Sequence, residues 1–237
     1  IRNSIKNHLL KLILTIANSN ILSFLKDLNV ITNNVESNQV ILSMINMLDF
    51  LRFIIRHNTE FIENQLDKVI KLIIKSIDPS KLIIRKTCQE YATKTLKSIL
   101  AHYKCSSFNQ KLQLFAVSNE NNDIIIFDLK INTEWKVLKG NKNKIKNLEF
   151  NSEGTQIISF SLEDYRLIVW NIETQGIINF FLQERNNIIY DKIIFDKINE
   201  LYGNNVDKNT IDLEIQFKDN LVLLKSSFKN SLVIIKI

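Results

Sequence analysis

The chain is short of residues that break or bend a backbone. Pro79 is its one proline, and Gly140, Gly154, Gly176 and Gly203 are its four glycines among 237 residues. That scarcity excludes collagen-like and Pro/Gly-rich disordered classes. It also leaves no glycine-rich loop to cradle a phosphate, because each glycine stands alone in a turn-like context. Cys88 and Cys105 are the two cysteines, they form no CxxC pair, and no Asn-x-Ser/Thr acceptor occurs despite the many asparagines. Together these predict free thiols in a reducing, cytosolic setting. No apolar run reaches the roughly 18 residues that span a bilayer. No charged, apolar and small-residue leader opens the chain. Ile1 in place of Met predicts a piece of a longer protein, with further helices before it. The heavy use of Ile, Asn, Lys and Leu reads as the bias of an AT-rich genome, so the asparagines are not taken as a functional tract.

Catalytic chemistry is equally sparse. His8, His57 and His102 lie 45 and 49 residues apart on separate helical stretches, with no second ligand three or four positions away. No metal site is expected from them. There is no G-x-S-x-G elbow. Glu163 with Asp164, or Asp191 with Asp196, has the residue types of an acid/base pair, but solvated turns explain them better. The sequence predicts no enzyme and no cofactor.

What is present falls into two halves. Residues 1–104 carry 15 Lys and Arg against 8 Asp and Glu, whereas residues 105–237 carry 16 against 17. The cations of the first half are scattered between apolar positions, as on a solvated helix face, which argues against nucleic acid as a partner. In "IKNHLLKLILTIAN" the spacing of Ile5, Leu9, Leu12 and Ile16 predicts an amphipathic helix. "NQVILSMINMLDFLRFIIRH" and "NTEFIENQLDKVIKLIIKSI" predict two more. Asn58 and Thr59 are candidate caps, with Glu60 and Glu63 at the positive end of the helix dipole. Asp78-Pro79 predicts the next start, with Ile83, Ile84, Thr87, Tyr91, Leu96 and Leu100 facing inward. The expectation is a HEAT-like α-solenoid over residues 1–104.

From Ser106 the period drops from 3.6 to 2. "LQLFAVSN", "DIIIFDLK", "EWKVLKG", "KIKNLEF", "TQIISFS", "RLIVWNIE" and "GIINFF" read as short consecutive antiparallel strands. Phe127-Asp128 and Trp170-Asn171 end equivalent strands 43 residues apart, inside the roughly 40–45 residue period of a WD-type propeller blade. "TEWKVLKG", "KIKNLEF", "TQIISFS", "SLEDYR" and "RLIVWN" follow the order of parts in one such repeat. "DLEIQF", "DNLVLLKSS" and "SLVIIKI" predict part of one more blade, and residues 183–209, with "IIYDKIIF", an insertion. Three blades cannot close a ring, so the rest are expected elsewhere in the parent chain or in a partner, unless the helices cover the edges.

Here the chain resembles WD-repeat proteins. The resemblance implies a hydrogen-bonded network through Gly140, Asn141 (where His is usual), Ser161, Asp164 and Trp170, with Phe127 and Asp128 equivalent to Trp170 and Asn171. The run from "KLIIKSIDPSKLIIRK" through "HYKCSSF" into "IIIFDLK" and "LIVWNIETQG" is similar, more specifically, to the C-terminal end of the rabconnectin-3 beta family. That likeness covers roughly residues 65–237 and is best between Ile77 and Gly176. It implies a non-catalytic, α+β multi-domain scaffold, with a solenoid followed by propeller blades over residues 105–237. It also implies partners among vacuolar-type proton ATPase (V-ATPase) subunits and a rabconnectin-3 alpha-like protein. The site would be the cytosolic face of acidic compartments, with membrane association through those partners. Candidate contact loops are Gly140, Asn141, Lys142 and Lys144, with Glu163 and Arg166. A WD-repeat component of a vesicle coat or tether is the alternative.

Overall fold

A computed structural model of the chain describes residues 38–57, 62–77, 82–172, 188–202, 211–218, 221–226 and 232–237. The chain divides into two compact units, Ile1–Tyr103 and Lys104–Ile237. The expected helix through Ile5 and Ile16 lies outside the described residues, as do Asn58, Thr59, Glu60 and Asp78-Pro79.

In the first unit α1 (Asn38–His57) precedes a 3-10 turn (Glu63–Gln65), α2 (Leu66–Lys75) and α3 (Leu82–His102). Met44, Met47, Leu48, Leu51, Ile54 and Ile55 of α1 are buried, the i, i+3, i+4, i+7 stripe that a helix presents to a core. In α2 Leu66, Val69, Ile70, Leu72, Ile73 and Ile74 are buried, so this helix is covered on nearly every side. The Ser76 hydroxyl donates to the carbonyl of Ile73 at 2.6 Å and stops α2. Of the side chains expected to face inward on α3, Ile83, Ile84 and Thr87 lie outside those described, Leu96 is buried, and Tyr91 and Leu100 are half-buried, while Cys88, Ala92, Thr95 and Ile99 hold the centre. Small side chains let α1 approach, and the Thr95 hydroxyl reaches the carbonyl of Leu48 at 3.2 Å. Burial pushes the Cys88 thiol up, away from thiolate reactivity. The three described helices do not by themselves show the HEAT-like solenoid expected over residues 1–104, whose repeats stack in several pairs.

Among the described residues the second unit has three antiparallel sheets. The first is β1 (Ser106–Asn109), β2 (Leu114–Ser118), β3 (Ile124–Asp128) and β4 (Thr133–Leu138), in chain order. The second is β5 (Ile145–Phe150), β6 (Gln156–Ser161), β7 (Arg166–Asn171) and β8 (Ile188–Ile193), again in chain order. The third is β9 (Leu213–Lys218), β10 (Leu221–Ser226) and β11 (Leu232–Lys236). Both complete sheets are meanders, as expected for consecutive strands without crossover helices.

The reading of residues 183–209 as an insertion between blades is corrected in part. The first sheet has all four strands. The second takes its fourth strand from "IIYDKI", read above as part of an insertion, because these residues pair with β7 from Arg166↔Ile193 to Trp170↔Ile188. The rest of that segment includes a helix, α4 (Phe195–Tyr202), which buries Ile198, Leu201 and Tyr202. "GIINFF" lies outside the described residues.

The sheets stack face to face. One apolar cluster joins Ala116, Ile124 and Ile126 of sheet 1 to Ile157, Ile168 and Trp170 of sheet 2. Another joins Ile158, Phe160 and Val169 of sheet 2 to Ile215, Phe217, Val222 and Leu224 of sheet 3, with α4 alongside. The first strands of the three sheets converge. The Phe150 amide donates to Ser107 Oγ at 3.1 Å, the Leu148 amide to the Lys104 carbonyl at 2.8 Å, and Asn147 Nδ2 to the Leu213 carbonyl at 3.0 Å. This is the radial arrangement of propeller blades, with β1, β5 and β9 innermost.

Candidate interaction face

Trp170 ends β7 and is 1% exposed. Its indole N–H donates to Ser159 Oγ at 2.9 Å, and that hydroxyl donates to Asn141 Oδ1 at 2.9 Å. Ser159, not Ser161, is therefore the serine of this network. The register explains it: Trp170 stands opposite Ile157, and Ser159 opposite Ile168. Ser159 is thus the diagonal neighbour that a large ring can reach, while Ser161 lies two residues farther on, about 7 Å along the strand. Ser161 Oγ, Asn141 Nδ2 and Asp164 Oδ1 are buried without a hydrogen-bond partner, so Asp164 does not join the chain. Asn141 reaches the serine but not the turn acid. Gly140 closes the other side. Its φ is +142°, and a Cβ there would stand 3.1 Å from Trp170 Cη2, so the backbone lies on the indole. Phe127 is buried opposite Phe115. Asp128 accepts from the Lys130 amide at 2.8 Å and shapes the β3–β4 turn.

The connectors at one edge of the stacked sheets come together. Asn122 Nδ2, in the β2–β3 turn, reaches the Lys142 carbonyl in the β4–β5 connector at 3.5 Å. Asn122 (φ +63°) and Tyr165 (φ +54°) take left-handed conformations in equivalent turns, 43 residues apart like the strand ends. The Tyr165 carbonyl accepts from the Ile194 amide at 2.8 Å, and its ring meets Phe195 edge-on at 5.1 Å. Arg166 Nε donates to Asp191 Oδ1 at 2.7 Å. This bond, with smaller help from the charges of Arg166 and Lys142, holds the Asp191 carboxyl below its usual range. Gly140, Lys142, Lys144 and Glu163 are exposed, and Asn141 and Arg166 are half-buried. The expected contact loops thus share one edge, and β8 and α4 add Asp191 and Phe195, which sequence reasoning assigned to no face.

Sequence reasoning also missed Glu149. It sits half-buried on β5, and burial, opposed by a hydrogen bond from Ser107 and helped by the charge of Glu214, pushes its carboxyl up to about 7. The available signal was that Asn147 and Glu149 share a face of β5 while the apolar Ile145, Leu148 and Phe150 surround them in the strand. Among the described residues no group of His, Cys, Asp and Glu could hold a metal ion, and no helix is long and apolar enough to cross a membrane.

Residues 106–196 match the family model described as the anaphase-promoting complex subunit 4 WD40 domain. That range contains both complete sheets, which are thus similar to WD-type blades. No curated protein matches the chain. Among solved structures, Kluyveromyces lactis Hsv2 is similar at 15% identity and a TM-score of 0.36, over 51% of this chain and 37% of that one. The complex of KlAtg21 with the coiled-coil of AgAtg16 is similar at 11% identity and 0.37, over 54% and 38%. The Myceliophteria thermophila Cps50 (Swd1) β-propeller domain is similar at 15% and 0.33, over 56% and 38%. The chain spans less than two-fifths of the length of each, and at these scores the likeness carries no argument about function.

Proposed function

We infer that the chain is a non-catalytic scaffold that docks other proteins on the connector edge of its blades. The supporting observation is a rigid frame that carries exposed, charged loops at one edge. The loops at 139–144 and 162–166 are tied to neighbouring elements by the Asn122 side chain, which donates to the Lys142 carbonyl, and by the Ile194 amide, which donates to the Tyr165 carbonyl, and such framed loops are where binding concentrates. The finer reading is a role like that of the rabconnectin-3 beta family: binding V-ATPase subunits and a rabconnectin-3 alpha-like partner on the cytosolic face of acidic compartments, and supporting pump assembly or trafficking. It rests on the sequence resemblance around Ile77–Gly176. The test is affinity capture with the intact chain and with a Lys142→Glu/Lys144→Glu variant. Pump subunits should co-purify with the former and be depleted with the latter, at unchanged thermal stability. Capture without pump subunits, with normal acidification after depletion, would leave the scaffold reading and remove the pump.

A further inference from the structure

We propose that the open face of the third sheet docks a short amphipathic helix with acidic flanks, supplied by another protein. The register lays this face out. Across the middle of the sheet Gln216, Leu223 and Ile234 stand side by side. Lys218, Leu221 and Lys236 lie to one side of that row, and Glu214, Lys225 and Leu232 to the other. Leu221, Leu223, Ile234 and Leu232 therefore form a diagonal apolar band bordered by three lysines. Leu232 and Ile234 are each 55% exposed, and Leu221 and Leu223 are half-buried. The alternate residues Val222, Leu224, Val233 and Ile235 lie in the core. A contiguous apolar band with a polar border is the mark of a binding surface.

Charge and size select the occupant. Among the described residues of this face, Lys218, Lys225 and Lys236 are exposed against one acid, Glu214, which is 3.9 Å from Lys225. Two facing copies of the surface would bring like charge to like, whereas carboxylates complement it. Three strands about 5 Å apart and about 20 Å long offer roughly 300 Å², well under the about 800 Å² per partner of a standard interface. A second copy is disfavoured on both counts, and a short acidic segment on neither.

The same two strands show which shape they accept. On their inner face, α4 packs Ile198, Leu201 and Tyr202, at i, i+3 and i+4, into the cluster of Val222, Leu224, Val233 and Ile235. The open face offers the other side chains of β10 and β11 as a second such surface. A helix with apolar residues at i, i+3, i+4 and i+7 covers about 10 Å of the band. Carboxylates on its flanks then meet Lys218, Lys225 and Lys236 at the rim.

The experiment is methyl NMR titration of the whole chain with a synthetic helical peptide that has leucine at those four positions and glutamate on the flanks. A twin peptide with lysine for glutamate is the control. The acidic peptide should shift the methyl signals of Leu221, Leu223, Leu232 and Ile234, and the twin should bind about tenfold more weakly or worse. Lys225→Glu/Lys236→Glu and Ile234→Glu should each weaken the acidic peptide by a similar factor. Lys142→Glu/Lys144→Glu, on the connector edge, should bind it as the parent does, so this proposal and the docking of proteins on that edge fail separately. Equal affinity for both peptides, or shifts confined to other methyls, overturns the proposal. So does sedimentation showing a dimer that Ile234→Glu dissolves, which assigns the face to a second copy. Adsorption to phosphatidylserine vesicles that Ile234→Glu abolishes assigns it to lipid and overturns the proposal equally. The two peptides on the unmodified chain decide the matter even if a variant fails to fold.

Discussion

Sheets 2 and 3 are both antiparallel and neighbours, yet they are written differently in the sequence. "QIISFS" and "RLIVWN" put apolar or small residues at consecutive positions, and four or five of the six residues in each strand are buried. "LEIQFK" alternates and its burial alternates with it, whereas "LVIIK" is a continuous apolar run whose burial alternates all the same. The reason is position. Sheet 2 has an apolar cluster on each face, so both sets of side chains leave water. Sheet 3 packs by one face, and Leu232 and Ile234 on the other are each 55% exposed. Alternation, as in "LEIQFK", marks a strand covered once, but a continuous run marks one covered twice only where both faces have a partner, because "LVIIK" is covered on one face alone.

Substitutions that empty the doubly covered sheet should have the largest effects. Trp170→Ala should destabilise by about 3–5 kcal/mol, from lost transfer energy and the cavity left behind. Ile234→Ser, on the open face of sheet 3, should stay within about 0.5 kcal/mol. Urea denaturation of both variants checks the contrast, and similar losses would erase it.

Next come the glycines that let sheets approach. Gly154 has φ +74°, and a Cβ there would meet Leu112 Cδ1 at 2.8 Å and Asn109 Cγ at 2.9 Å. Gly154→Ala should lose roughly 1–3 kcal/mol from backbone strain, read as a lower melting temperature. The smaller test separates two serines. Ser159→Ala strands the buried Trp170 N–H and should destabilise by about 1–3 kcal/mol. Ser161→Ala removes a hydroxyl with no partner and should be close to neutral in the same denaturation assay.

Much of this was legible because the blade repeats. The drop from period 3.6 to 2 marked the second unit, and the 43-residue spacing of Asp128 and Asn171 placed the third strand of each complete sheet. What escaped reading depended on contacts across the sheet. Two serines on one face of β6 look alike in the sequence, and the diagonal reach of an indole chooses between them. "IIYDKI" resembled an insertion because nothing local shows that Asp191 will face Arg166. Helix α4 left a fainter trace in the spacing of Ile198, Leu201 and Tyr202. Glu149 reads as an ordinary solvent-facing acid until β1 and β9 close around it.

The stacking order is tested most directly by methyl cross-relaxation in the isotope-labelled chain. Val222 and Leu224 of sheet 3 should show cross-peaks to the apolar cluster of Ile158 and Val169. Ile124 and Ile126 of sheet 1 should show them to the separate cluster of Ile157 and Ile168. Cross-peaks from sheet 3 to sheet 1 with none to sheet 2, or none between any two sheets, would contradict the radial order described for residues 104–237.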